Sequence, residues 1–81
     1  MEIHVHFYSY CKDITKCPGI IESMPDGSRI SDLLGKIFAR FPELAKLSSS
    51  LLIAVGVDYQ ARDYVLKDGD EVSLFPPVQG G

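Results

Sequence analysis

This 81-residue sequence lacks most of the signatures that announce a chemistry. No nucleophile motif such as G-x-S-x-G occurs, and neither G-x-G-x-x-G nor a P-loop lysine motif is present. Serine, histidine and aspartate all occur, so counting alone does not exclude a triad, but no spacing supports one. Cysteine is limited to Cys11 and Cys17, six positions apart. One such pair makes neither a disulfide framework nor a zinc site, so both read as free thiols. Basic residues form no cluster, and the net charge is −3. That balance argues against nucleic acid and favours docking on a basic partner. No apolar run approaches the roughly 20 residues needed to span a membrane. The opening Met1-Glu2-Ile3-His4 has no basic or apolar leader character. The expected setting is cytoplasmic, away from membranes.

What is present suits one small domain. Hydrophobic residues make up 46% of the chain, enough for a single core. Glu2 to Tyr8 alternates: Ile3, Val5 and Phe7 share one face, and His4, His6 and Tyr8 the other, as in a half-buried strand. His4 and His6 share a face that a metal ion would suit, but further ligands are missing, and solvent-facing residues are the expected reading. Ser9 to Pro18 reads as a polar loop closing on Cys17-Pro18-Gly19. Gly19 to Met24 predicts a second strand, broken by Pro25-Asp26-Gly27-Ser28.

The spacing of Ile30, Leu33, Leu34, Ile37, Phe38 and Phe41 predicts one helix with a single buried stripe. Ser28 is the expected N-cap, Asp32 favours the helix start, and the helix should stop before Pro42. Gly35 lies off the stripe. Glu43 to Leu47 predicts a second helical turn, and Leu51 to Val55 a third strand. Gly56-Val57-Asp58 turns the chain into a short strand at Tyr59 to Ala61. Asp68-Gly69 turns it again, and Glu71 to Phe75 is the last strand. On that strand Val72 and Leu74 should face the helix. Glu71, Ser73 and Phe75 should face away, with Phe75 exposed near Tyr8. This order predicts an α+β fold, a mixed sheet with one main helix packed on one face. With the first and last strands adjacent, that is the ubiquitin-like β-grasp. The expected division is a domain over residues 1–76 and a flexible Gly-Gly tail over residues 77–81.

The end of the chain is its most specific part. Lys67-Asp68-Gly69-Asp70-Glu71-Val72 leads through Leu74-Phe75-Pro76-Pro77-Val78 to Gly80-Gly81. Prolines cannot donate to a sheet ladder, so pairing should end at Pro76-Pro77. Two glycines without Cβ atoms can pass a slot that bulkier residues would block.

This run resembles the small subunit of molybdopterin synthase, a β-grasp sulfur carrier. The resemblance implies that an E1-like adenylating enzyme activates the Gly81 carboxylate with ATP and Mg²⁺. Sulfur from a persulfide donor then makes the thiocarboxylate. Gly81, with Gly80 as its slender neighbour, would enter the synthase large subunit and deliver sulfur to cyclic pyranopterin monophosphate, forming the dithiolene. It further implies that Phe75, Tyr8 and Tyr59 contact the large subunit, with Pro76, Pro77 and Val78 continuing that edge. No cofactor would be held stably, and the subunit would not be an enzyme on its own. Departures from the family pattern are Val55-Gly56, where Val-Asn is usual, and the tyrosines at positions 8 and 59, where apolar residues are often found. The alternatives are a carrier for thiamin synthesis or tRNA thiolation, a ubiquitin-like protein modifier, or an interaction domain with an inert tail.

Overall fold

The computed structural model describes residues 1–77. It contains β1 (Glu2–Phe7), α1 (Tyr10–Thr15), β2 (Gly19–Ser23), α2 (Ile30–Arg40), α3 (Pro42–Ala45), β3 (Leu52–Val55), β4 (Asp58–Tyr59) and β5 (Glu71–Phe75). The strands form one sheet in the order β2-β1-β5-β3-β4. β1 and β5 run parallel, and every other pair is antiparallel. The predicted mixed sheet with adjacent first and last strands is therefore present. β5 sits at its centre, so the chain leaves the fold between two neighbouring strands rather than at an edge.

Strand parity sets the core. Ile3, Val5 and Phe7 of β1 and Val72 and Leu74 of β5 are buried beneath α2. Helix α2 contributes Ile30, Leu33, Leu34 and Ile37, all buried. Phe38, expected in the middle of the stripe, is only half-buried. At about 100° per residue it lies some 80° around the axis from Ile30, on the flank of the stripe. Phe41 ends the helix, its amide donating to the Ile37 carbonyl at 2.8 Å, and Pro42 begins α3. The Phe41 ring meets Phe7 edge-on at 5.6 Å. Glu22 also points to the helix side, where Lys36 and Arg40 each approach its carboxylate to 4.0 Å.

Two local expectations are corrected. Ser28 does not cap α2. It lies in an extended segment whose neighbour Arg29 bridges Val65, and its hydroxyl donates to the Pro25 carbonyl. Arg29 is the N-cap, and its amide donates to Asp32 Oδ2 at 2.9 Å. The segment between Ser9 and Pro18 is not simply a loop, since residues 10–15 form α1. Its stripe is Cys11, Ile14 and Thr15, one turn long, which is too short to show a period in the sequence. Burial of Cys11 and Thr15 against the body of the domain makes the helix.

Strand limits shift slightly. β2 ends at Ser23, β3 begins at Leu52, and the short strand after the turn is Asp58–Tyr59 rather than 59–61. No helix among the described residues is long and apolar enough to cross a membrane.

Candidate functional site

The site lies on the sheet face that α2 leaves uncovered, at the end of β5 where the chain exits. β5 alternates, so Phe75 turns away from the core that takes Leu74. The register places Leu52 of β3 opposite Phe75 and Tyr59 of β4 opposite Ala54. On the other side the Tyr8 amide donates to the Leu74 carbonyl at 3.2 Å, carrying the β1–β5 pairing one residue past β1. Three rings therefore converge. Tyr8 stacks on Phe75 with centroids 4.9 Å apart and planes 10° from parallel, and Tyr59 meets Phe75 edge-on at 6.4 Å.

Phe75 was expected to stand exposed, and the structure corrects this: it is half-buried because the two tyrosines cover its faces. Tyr8 is 44% exposed and Tyr59 69%, so the tyrosines form the outer surface of the cluster.

Two of these rings, Phe75 and Tyr59, help to line a groove of about 450 Å³. Tyr10, Leu47, Leu52, Tyr59, Phe75 and Pro76-Pro77 line it. Its rim includes Ser9, whose backbone has φ 55° and ψ −129°. The Cys11 amide donates to the Tyr8 carbonyl, so residues 8–11 form a tight turn with Ser9 at a position that favours glycine. A side chain there is strained by an energy on the order of 1 kcal/mol or more. This turn places Tyr8 over Phe75 and Tyr10 at the groove.

Tyr10, Leu47 and Leu52 were not singled out from the sequence. Leu52 lies inside a continuous apolar run, where the two-residue alternation that would reveal an outward position is lost. Tyr10 falls in the segment read as a loop.

Polar groups continue along the same face from the cluster, with the His6 ring centroid 6.5 Å from that of Tyr8. His4 lies 3.5 Å from a Glu2 oxygen, and His6 Nε2 lies 2.8 Å from Glu71 Oε1. Among the described residues no three His, Cys, Asp or Glu side chains are placed to hold a metal ion. Cys11 is buried, and burial pushes its thiol above the usual value, which disfavours the nucleophilic thiolate. Cys17 is partly exposed, and both cysteines are free. Gly56 sits at φ +62°, a conformation asparagine also tolerates, so the Val-Gly departure is compatible with a Val-Asn turn. Val78, Gly80 and Gly81 lie outside the described residues.

With this geometry in place, similarity to known proteins becomes informative. The ThiS family matches residues 5–81. A molybdopterin synthase sulfur carrier subunit of Chlamydomonas reinhardtii is 31% identical over 84 residues, covering 100% of both chains. The crystal structure of SAMP1 from Haloferax volcanii aligns over 100% of both chains with a TM-score of 0.89. At 17% identity that likeness shows the fold alone. A chain in the complex of subunits 1 and 2 of molybdopterin-converting factor from Helicobacter pylori is 26% identical, with a TM-score of 0.70 and full coverage of both chains. A match over residues 5–81 and a full-length relative at 31% identity together establish that the chain belongs to the ThiS family, on the ubiquitin-like β-grasp fold.

Proposed function

We propose that this chain is the sulfur carrier subunit of a molybdopterin synthase, with the α-carboxylate of Gly81 as the reacting group. The observation that carries the reading is the packing of Tyr8, Phe75 and Tyr59 around the point where β5 ends in Pro76-Pro77. A partner that receives the tail meets an apolar, preorganised surface at its root. The full-length relative that is a molybdopterin synthase sulfur carrier, and the Helicobacter subunit found with its subunit 2, support the same assignment.

The chemistry follows from the carboxylate. Alone it is a poor acyl donor. An E1-like adenylating enzyme supplies ATP and Mg²⁺; a carboxylate oxygen attacks the α-phosphorus and pyrophosphate leaves. A persulfide sulfur then displaces AMP from the acyl carbon. Reduction of the resulting S–S bond by a thiol leaves the thiocarboxylate. Its sulfur passes to cyclic pyranopterin monophosphate in the large subunit, and two rounds complete the dithiolene. In this scheme the domain presents the tail and docks, while nucleotide and metal belong to the activating enzyme. The proposed setting is the cytoplasm.

Intact mass after incubation with the activating enzyme, ATP and a sulfur donor tests the proposal. Wild type should gain the mass difference between sulfur and oxygen. Deleting Gly81 shortens the reach by about 3.5 Å, and adding one residue converts the reactive carbon to an amide. Both variants should fold normally and gain nothing. If the deletion gains the same mass, its new terminal carboxylate at Gly80 serves as well and the requirement for Gly81 falls. A gain of one whole sulfur atom instead marks a persulfide, with Cys17 the first candidate, since Cys11 is buried.

A further inference from the structure

We propose that the free edge of β2 is a second docking site, separate from the ring surface, and that it takes a short extended segment of another protein in which acidic and apolar residues alternate. The sheet order leaves β2 with β1 on one side and no strand on the other. The Phe7 amide donates to the Pro18 carbonyl, and the Met24 amide to the Met1 carbonyl. Residues 18, 20, 22 and 24 therefore turn their backbone groups toward β1, and Gly19, Ile21 and Ser23 turn theirs outward. The Lys36 ammonium donates to the Ser23 carbonyl at 2.7 Å. Among the described residues nothing pairs with the outward backbone groups of Gly19 and Ile21. An extended segment laid along this edge pairs with them as a further strand. It is a short one, because β2 has five residues and Lys36 already covers the last carbonyl.

Strand parity selects the occupant. On the helix side of β2, Glu22 is buried, and the half-exposed Lys36 and Arg40 each lie 4.0 Å from its carboxylate. Two cations share one carboxylate, which leaves positive charge along this edge of a chain whose net charge is −3. Glu2, opposite Ser23, lies on the other face with His4 3.5 Å away. The helix-side residues of an added strand therefore meet cations, and acidic ones suit them. On the open face Ile21 stands opposite His4 and Gly19 opposite His6. Ile21 is 56% exposed, and Gly19 has no side chain to cover its neighbours. A hollow of about 260 Å³ is lined by His4, His6, Pro18, Gly19 and Ile21 among others. That is below the roughly 300–1,000 Å³ of small-molecule clefts, so it suits one apolar side chain and not a cofactor. Successive strand residues point to opposite faces, so the two requirements combine into acidic–apolar alternation. A second copy of this chain fits less well. β2 paired with itself about a two-fold axis sets Lys36 and Arg40 of both copies on one side of the joined sheet. The hollow shares no residue with the groove at the β5 exit, and β1 separates β2 from β5. The site therefore stands whether or not Gly81 is the reacting end.

The test titrates the full isotope-labelled chain with the end-blocked peptide Glu-Val-Glu-Val-Glu and follows the backbone amides by NMR. The Gly19, Ile21 and Ser23 amides should shift, and hydrogen exchange at Gly19 and Ile21 should slow. Those of Tyr8, Tyr59 and Phe75 should stay in place. The peptide Glu-Glu-Glu-Val-Val, of the same composition, should leave β2 unshifted at the same concentration. Arg40→Gln should weaken binding about two- to fivefold, the worth of one exposed ion pair. Ile21→Pro removes an outward donor without touching the β1 ladder, and it should abolish the shifts. If that variant does not fold, exchange at the wild-type Ile21 amide decides the same point. Unchanged exchange at Gly19 and Ile21 overturns strand addition. Equal binding of the two peptides overturns the alternation, and wild-type affinity in Arg40→Gln overturns the role of the cations. Shifts at β2 that grow with protein concentration in the absence of peptide overturn the choice of occupant, because a second copy then covers the edge. Shifts confined to Tyr8, Tyr59 and Phe75 overturn the site itself.

Discussion

Replacing Phe75 by alanine tests whether the aromatic cluster is a packed unit in the free domain. A fully buried phenylalanine truncated to alanine costs about 3–5 kcal/mol. Phe75 is half-buried, so roughly half of that, about 2 kcal/mol, is expected from lost burial. Its stack with Tyr8, 4.9 Å between centroids and 10° from parallel, has good offset-stacking distance. Such pairs add about 0.5–1.5 kcal/mol beyond area. The sum is about 2.5–3.5 kcal/mol, a large share of the roughly 4–12 kcal/mol expected for a chain of this length. At about 4–8 °C per kcal/mol for small domains, the melting temperature should fall by roughly 10–28 °C.

Scanning calorimetry and urea unfolding measure the loss. A double-mutant cycle with Tyr8→Ala isolates the ring pair and should return a coupling of about 0.5–1.5 kcal/mol. Additive single effects, with no coupling, would refute the stacked geometry. An unchanged melting temperature would show that Phe75 stands free of the tyrosines. Binding to the large subunit should also weaken by more than about 1 kcal/mol, and it should be measured well below the variant's melting range.

Gly35→Ala should stabilise the domain by about 1 kcal/mol, because a methyl group there meets nothing within 4 Å and alanine is the better helix former; a lower melting temperature would mean that α2 is not continuous through this position. Gly19→Ala should destabilise by roughly 1–3 kcal/mol, since the added carbon would lie 2.5 Å from the Val5 carbonyl oxygen and backbone must shift; an unchanged urea midpoint would contradict the close β1–β2 approach. Cys17 should react with an alkylating reagent faster than Cys11 in the folded protein, read by peptide mass, and equal rates would contradict the burial of Cys11. Burial raises the Cys11 thiol above its ordinary 9.0, so this contribution to stability is intact below that pH. It should be lost as pH rises through the folded value, because the unfolded chain releases a proton the folded chain retains. Cys11→Ala, compared with wild type across that range, isolates the slope.

Apart from α1 and the placement of Phe38, the elements, their order and the inward-facing residues were legible in the chain because they depend on short-range patterns. Alternation at Ile3, Val5 and Phe7 and at Val72 and Leu74 states which side of each strand is apolar. The Ile30-Leu33-Leu34-Ile37 spacing does the same for α2. Pro76-Pro77 marks the end of the sheet through the absence of a donor, with no need of a fold. These are properties of residues within a turn or two of each other, and the sequence by itself determined them.

Tertiary structure decided what depends on distant neighbours. Helix α1 exists because Cys11 and Thr15 find cover that a one-turn stripe cannot announce. Ser28 does not cap α2, because its hydroxyl donates to the Pro25 carbonyl, its own carbonyl accepts from the Leu66 amide, and the next residue, Arg29, bridges Val65. Phe75 is half-buried only because Tyr8 from the first strand and Tyr59 from the fourth close over it. The groove likewise joins Tyr10, Leu47, Leu52 and the two prolines from separate segments. Parity in a strand says which way a side chain points. What it meets there is set by the sheet order β2-β1-β5-β3-β4, and local spacing carries no information about contacts made across the whole length of the chain.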